Sequence, residues 1–121
     1  MSPAEAAAKE REVRLTTTGR KSGKPRSVTI WIATDGKRLF VRSGQGMKRN
    51  WPQNLVANRE ATLRLGGQSI KVRGRHITDA AEARAIAAYA SQKYGSYIKP
   101  SRGDEPLTQG EQATFELIPV G

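Results

Sequence analysis

The chain contains no cysteine and a single histidine, His76. The first absence excludes disulfide frameworks, thiolate nucleophiles and cysteine-based metal sites. The second removes histidine-cluster metal centres and any Ser–His pair with an imidazole to spare, so no metal site is expected. Aromatic residues make up only 6% of the chain. No apolar run approaches the roughly 20 residues that span a membrane. The opening residues, Met1 to Glu10, are Ala-rich and carry acids, with no apolar stretch of the signal-peptide kind. The expected compartment is the cytoplasm.

Acid is also scarce where base is plentiful. Between Val13 and Arg59 stand eleven Lys or Arg residues and one acid, Asp35, so the net charge of +10 belongs to that stretch. Concentrated charge of one sign captures ligands of the other. Nucleic acid, a nucleotide-like cofactor and an anionic membrane surface all satisfy that condition. The 121 residues suit one domain, 1–121, with one continuous core. Hydrophobic content of 36% is low but too patterned for a disordered chain.

Residues 1–11 read as an N-terminal helix or tail, Ala-rich and fraying. Val13 to Thr18 is a β-branched strand, and Gly19 to Pro25 a turn marked by two glycines and a proline. In Ser27 to Thr34, Val28, Ile30 and Ile32 alternate with Trp31 and Ala33, as in a strand buried on both faces. Asp35-Gly36 predicts a type I′ hairpin into a strand over Lys37 to Ser43. Asn50 reads as the cap of a helix bearing Trp51, Leu55 and Val56, with Pro52 in its first turn. Gly66-Gly67 predicts a two-residue hairpin that sets Leu63 opposite Ile70 and Ala61 opposite Val72. Arg64, Lys71, Arg73 and Arg75 then fall mostly on the wetter side.

Asp79 to Ile98 predicts one long helix, opened by Asp79 and Glu82 in the manner of a capping box. Ala83, Ile86, Ala87, Ala90, Tyr94 and Tyr97 form its apolar face. Lys99 to Gly110, with two prolines and two glycines, reads as a mobile loop without apolar anchors, and Gln112 to Val120 as a last strand. About six antiparallel strands with one long helix make a mainly β fold with helices (α+β), a small closed or half-closed barrel.

The sharpest local feature is GRKSGKPR, Gly19 to Arg26, with Arg20, Lys21, Lys24 and Arg26 on one turn. Its glycines admit a nest whose N–H groups point at an anion. It is not a Walker loop, because the glycine spacing is one residue short and Pro25 follows the lysine. A solvated basic hairpin tip is the plain alternative, of about equal weight. RSGQGMKRNW, Arg42 to Trp51, is a second basic glycine loop leading to a helix start, which favours anions. If both converge, Trp31, Trp51 and Met47 supply a flat apolar wall; for Trp31, plain core is an equal alternative. His76 reads as structural, and Tyr89, Tyr94 and Tyr97 as packing residues, Tyr97 being best placed to reach a pocket. No acid–base pair has convincing spacing, so the catalytic residues are unknown and any hard chemistry falls to a cofactor.

LTTTGRKSGKPRSVTIWIATDGKRLFVRSG and NWPQNLVANREATLRLGG together resemble the deazaflavin-dependent nitroreductase family of flavin/deazaflavin oxidoreductases. The resemblance runs from about Leu15 to Gly67 and is carried chiefly by TTGRKSGxPR. It implies a split β-barrel of the FMN-binding type that holds coenzyme F420, or FMN, and passes hydride to a small organic substrate. By that resemblance Arg20, Lys21, Ser22, Gly23 and Arg26 hold the phosphate or acidic tail. Thr29 and Trp31 lie along the ring, Ser43 and Gly44 line the groove, and Met47, Lys48 and Trp51 add contacts. Asn54 is read as a structural tie between its loop and the barrel. GQGMKRN departs from the family's longer glycine loop, and Tyr94 and Tyr97 only loosely echo its tyrosine-rich substrate wall. The cation excess favours F420 over FMN, and a homodimer is expected.

Two other readings remain. One is a non-catalytic protein that binds or carries the cofactor. The other is a nucleic-acid-binding barrel, disfavoured because the basic hairpin Arg64–Arg75 interleaves no base-stacking aromatics. The sequence does not name the substrate.

Overall fold

Alternation in the strands, with side chains pointing to opposite faces in turn, decides the architecture. In β1 (Glu12–Thr18), Val13, Leu15 and Thr17 are buried while Glu12 and Arg14 are exposed. β1 pairs with β2 (Pro25–Thr34) on one side and β4 (Glu60–Leu65) on the other, so Leu15 faces both Val28 and Leu63. β2 continues to β3 (Leu39–Arg42), β3 to β6 (Thr114–Pro119), and β6 to β5 (Gln68–His76), which returns to β4. The result is a closed antiparallel barrel in the order β1-β2-β3-β6-β5-β4. The computed structural model describes residues 2–120; Met1 and Gly121 lie outside the described residues. Among the described residues no helix is long and apolar enough to cross a membrane.

The interior joins Leu15, Ile32, Leu63, Val72, Phe115 and Leu117 to Trp51 and Leu55 of α2 (Asn50–Ala57) and Ala6 and Ala7 of α1 (Pro3–Lys9). Gly74 lets α2 sit this close, since a Cβ there would lie 2.7–2.8 Å from Leu55 carbons. A second core covers the outer face of β2 and β3. There Ala33 and Phe40 pack under Ala83, Ile86, Ala90 and Tyr94 of α3 (Ala80–Tyr94).

The Gly66-Gly67 hairpin forms with both φ angles positive and the expected pairing of Leu63 with Ile70 and Ala61 with Val72. Elsewhere local chemistry differs from the expectation. Asp35-Gly36 is not a type I′ turn: Asp35 keeps a negative φ, and a four-residue link leads to β3 at Leu39. The Asp35 carboxylate accepts from the Lys37 and Arg38 N–H groups at 3.0 and 2.7 Å, an alternative to the mirror-image turn. Arg49, not Asn50, precedes the first turn of α2, and it makes no side-chain cap bond. α3 ends at Tyr94, because Gly95 takes a positive φ of 68° and a 3₁₀ turn follows over Gly95–Tyr97. Tyr97 thus leaves the apolar face and stands 77% exposed. Asp79 caps the Glu82 N–H at 2.9 Å, while the Glu82 carboxylate serves Arg75 instead of closing the box.

The 99–110 stretch does contain an apolar anchor, Leu107, which packs on the outer core. A short α4 (Gln109–Gln112) begins within it, and the buried Glu111 carboxylate accepts from the Ser101 and Thr108 N–H groups at 3.0 and 2.9 Å. Thr108 and Glu111 close a capping box, with Thr108 Oγ1 accepting from the Glu111 N–H at 3.1 Å, so the T-x-x-E spacing is the local signal for this carboxylate.

Asp35 carries a pH signature. Burial works to raise its pKa, but donations from the Arg38 and Lys37 N–H groups and the Arg38 guanidinium outweigh it, taking the value from 3.8 to about 2. A depressed folded value means that stability is complete above about pH 4 and is lost as pH falls through about 2. Asp35→Asn should therefore destabilise the protein at about pH 6, with the difference shrinking toward pH 2 in urea melts. A difference constant across that range would refute the assignment.

Candidate functional site

The basic turn between β1 and β2 is built from the inside. Gly19 N–H donates to the Lys24 carbonyl and Gly23 N–H to the Gly19 carbonyl, both at 2.8 Å, and Gly23 has a φ of 70°. These glycine N–H groups close the turn on itself, so the expected anion nest does not form. Ser22 Oγ accepts from the Lys24 N–H at 3.2 Å, tightening the same loop. What the turn presents is its side chains.

The turn is fastened to α2 by one buried amide. Asn54 Oδ1 accepts from the Arg20 N–H at 3.2 Å and from Arg20 Nη1 at 2.9 Å. Asn54 Nδ2 donates to Thr17 Oγ1 of β1 at 3.4 Å. The expected structural tie at Asn54 is therefore present, and Arg20 is partly committed to it. Between turn and helix lies a groove of about 540 Å3, walled by Arg20, Lys21, Ser22 and Arg26 on one side and Arg49, Asn50, Trp51 and Asn54 on the other. No carboxylate lines it, and none of its four cations forms an ion pair among the described residues. The uncapped first turn of α2 adds N–H groups favourable to an anion.

A second groove of about 550 Å3 continues along the outer side of β2 and shares Val28, Arg49 and Trp51 with the first. Thr29 and Trp31 of β2 line it, as do Ser43, Gly44 and Gln45 after β3. Tyr97 and Ile98 close its far side, and Glu12 is its one carboxylate. Trp31 is both wall and core. Tyr94 stacks on it with centroids 4.2 Å apart and planes at 8°, Tyr97 meets it edge-on at 5.8 Å, and the Arg11 guanidinium lies 5.4 Å from its centroid.

The two basic loops therefore converge, as expected. Arg20, Lys21, Ser22, Arg26 and Trp51 reach the first groove, and Thr29, Trp31, Ser43, Gly44 and Trp51 the second. Gly23, Met47 and Lys48 line neither. Met47 packs against the barrel core, while Arg49 takes the place expected for Lys48. The 3₁₀ turn Gly46–Lys48 ends before the extended Arg49 (φ −71°, ψ 154°), and it is this residue that meets the grooves. Ser27, Asn50 and Arg42 also line the grooves. Nothing in the sequence marked them beyond their place beside the named motifs. His76 is structural: its ring stacks on Phe115 at 4.8 Å and its Nε2 lies 2.8 Å from the Gln112 carbonyl.

Residues 4–117 match the family model described as "Uncharacterized protein conserved in bacteria (DUF2255)". The chain belongs to this family. Solved structures share its fold. An F420-H2 dependent reductase (FDR-A) is 22% identical with a TM-score of 0.64, over 89% of this chain and 94% of that one. A FAD-binding protein from Mesorhizobium loti is 14% identical with a TM-score of 0.64, over 97% and 86%. A protein described as a domain-swapped dimer is 21% identical with a TM-score of 0.68, over 89% and 80%. The fold is the split β-barrel of the FMN-binding type, as the resemblance implied.

Asn54 gives the geometry a direct test. Asn54→Ala leaves the Arg20 N–H without its acceptor in a part-buried position, a loss of about 1–3 kcal/mol. The expected result is a melting temperature lower by several degrees together with faster amide exchange in residues 19–26. Melting and exchange like wild type would show that the amide does not hold the turn.

Proposed function

We propose that this protein is an oxidoreductase that binds a deazaflavin, coenzyme F420, or alternatively FMN, and passes hydride between it and a small organic substrate. One observation supports this above the others: a cation cluster without ion pairs among the described residues and an aromatic-walled groove are joined end to end. Each groove falls within the few hundred to about 1,000 Å3 usual for ligand sites. The residues fit the group on chemical grounds. Lys21 and Arg26, with Arg49 and the first turn of α2, hold its phosphate and acidic tail. Arg20 orients the turn through Asn54 and keeps its charge toward the anion. Thr29, Trp31, Ser43 and Gly44 flank the ring. The bound cofactor supplies the hydride chemistry, while the chain orients it and screens one side from water. Four cations without a carboxylate suit a polyanionic tail better than a single phosphate, which favours F420.

The absorbance of protein incubated with F420 or FMN and then freed of excess cofactor should retain the cofactor band. Charge-assisted bonds are worth about 1.5–3 kcal/mol each and less in an open groove. Replacing Lys21 and Arg26 together with Ala should then weaken binding roughly ten- to a thousandfold and flatten its salt dependence, with little change in melting temperature. The pair Lys71→Ala and Arg73→Ala, on exposed positions of β5, serves as the control. Should the control lose the cofactor while the turn variant keeps it, the site is misplaced and a nucleic-acid role along β4 and β5 becomes the better reading.

A homodimer is part of the same proposal. Its supports are the dimeric relative of like fold and the exposed Tyr97 beside an open groove. Sedimentation should return the mass of two chains at micromolar concentration; the mass of one chain would rule the dimer out.

A further inference from the structure

Arg42 ends β3 on the outer face of the barrel, one residue after the buried Val41. Its Nη1 is buried and has no hydrogen-bond partner among the described residues. Its guanidinium forms no ion pair there either. Burial draws its pKa below the ordinary value, and the attraction of Glu111 opposes this only in part. The Glu111 carboxylate is already occupied by the Ser101 and Thr108 N–H groups. The half-buried guanidinium thus carries a desolvation penalty that Glu111 offsets only in part.

The side chain is nevertheless held in a made-to-measure slot. A Cβ on Gly110 would lie 1.8 Å from Nη2, 2.6 Å from Cζ and 2.7 Å from Nε, so the planar group rests on the bare backbone of Gly110 and any side chain there would push it aside. Behind it is a small, largely apolar space of about 10 Å3, lined by Phe40, Ile86 and Ala90 among others. A space of that size is at the lower limit for one water, and the Tyr94 hydroxyl in its lining is already bonded to Ile32 and Arg11. Arg42, Trp31 and Ile98 line both this space and the second groove, and so form the partition between them. The side from which a partner can approach the guanidinium is the groove.

We propose that Arg42 is the recognition cation for an anionic substrate, a small planar organic carboxylate lying in the second groove. The carboxylate pairs with the guanidinium, within reach of the Ser43 hydroxyl. The apolar body lies along the exposed Tyr97, beside the place given to the cofactor ring along Trp31. The Gly95–Tyr97 turn and Ile98 yield to admit it, and the glycine at 95 supplies the freedom. This deepens the oxidoreductase reading by naming a substrate class, and it rests on that reading for the word substrate alone. The site itself belongs to the protein without cofactor.

The test therefore uses the cofactor-free chain, with benzoate as probe and benzamide as its neutral counterpart. Trp31 and Trp51, the two tryptophans, both line the second groove and report binding by fluorescence. Benzoate should change the emission saturably in the millimolar range or below, and benzamide should not. Arg42→Met should cut benzoate affinity at least about tenfold, the loss of one charge-assisted contact. Arg42→Met should also melt at or above the wild-type temperature, since an apolar side chain removes a half-buried charge that has no ion pair among the described residues. Arg42→Lys should keep part of the binding. Gly110→Ala should lower affinity with every charge retained, because it expels the guanidinium from its slot. The double replacement of Lys21 and Arg26, which weakens the proposed cofactor site, should bind benzoate as wild type does. Equal response to benzoate and benzamide, no response to benzoate, or unchanged benzoate binding by Arg42→Met would overturn the proposal. So would loss of benzoate in the Lys21 and Arg26 variant alone, which places the anion in the turn.

Discussion

A single buried amide, Asn54, sets the position of the basic turn. Its oxygen takes both the Arg20 N–H and the Arg20 guanidinium, and its nitrogen reaches Thr17 on β1. The helix that carries Asn54 is itself seated by apolar contacts, Leu55 against Gly74 and Trp51 tilted against Phe115 at 5.8 Å. The placement of surface cations is thus inherited from the barrel core. Four like charges in one groove repel one another, and only a rigid frame keeps them converged before a ligand arrives.

Charge is segregated along the chain for a related reason. The later acids are consumed locally: Glu82 and Glu116 bind Arg75 at 2.7 and 2.8 Å, and Glu111 is spent on backbone N–H groups. Hydrogen bonding to Arg75 holds the Glu82 carboxyl below its ordinary pKa. Asp35, the single acid of the 13–59 stretch, is spent on its own turn and on Arg38. Lys21, Arg26 and Arg49 are left without an ion-pair partner among the described residues. Of the eleven cations of that stretch, Arg20, Lys21, Arg26, Arg42 and Arg49 line the two grooves.

The barrel was legible because period-two alternation and a Gly-Gly turn are local signals with one dominant solution. The turn at Asp35 was not, because a carboxylate that caps two N–H groups competes with the mirror-image hairpin and leaves the same residues in the sequence. The end of α3 was misjudged by one turn, since Gly95 lies within an otherwise continuous helical pattern and its positive φ shows only in three dimensions. The cations of the 19–26 turn were visible as composition. Arg49 was visible too, but which of Lys48 and Arg49 faces the groove depends on where a 3₁₀ turn hands over to a helix. Arg42 gave no signal, because its significance depends on Gly110, a residue that reaches it only when β6 pairs with β3.

The aromatic wall obeys a different logic from the cationic one. Lys93 Nζ donates to the carbonyls of Ala7 and Ile32 at 2.6 and 2.8 Å and also to that of Glu10, so one ammonium joins α1, β2 and α3. The adjacent Tyr94 hydroxyl accepts from the Ile32 N–H at 3.1 Å and lies 2.7 Å from the Arg11 carbonyl, while its ring stacks on Trp31. Trp31 is consequently fixed by three elements at once, and the wall it gives the groove cannot swing. Tyr97, three residues further on and beyond Gly95, has none of these restraints and meets Trp31 only by its edge. Rigid on one side and adjustable on the other, the second groove can hold a planar ring at a fixed angle while still opening for what must enter beside it.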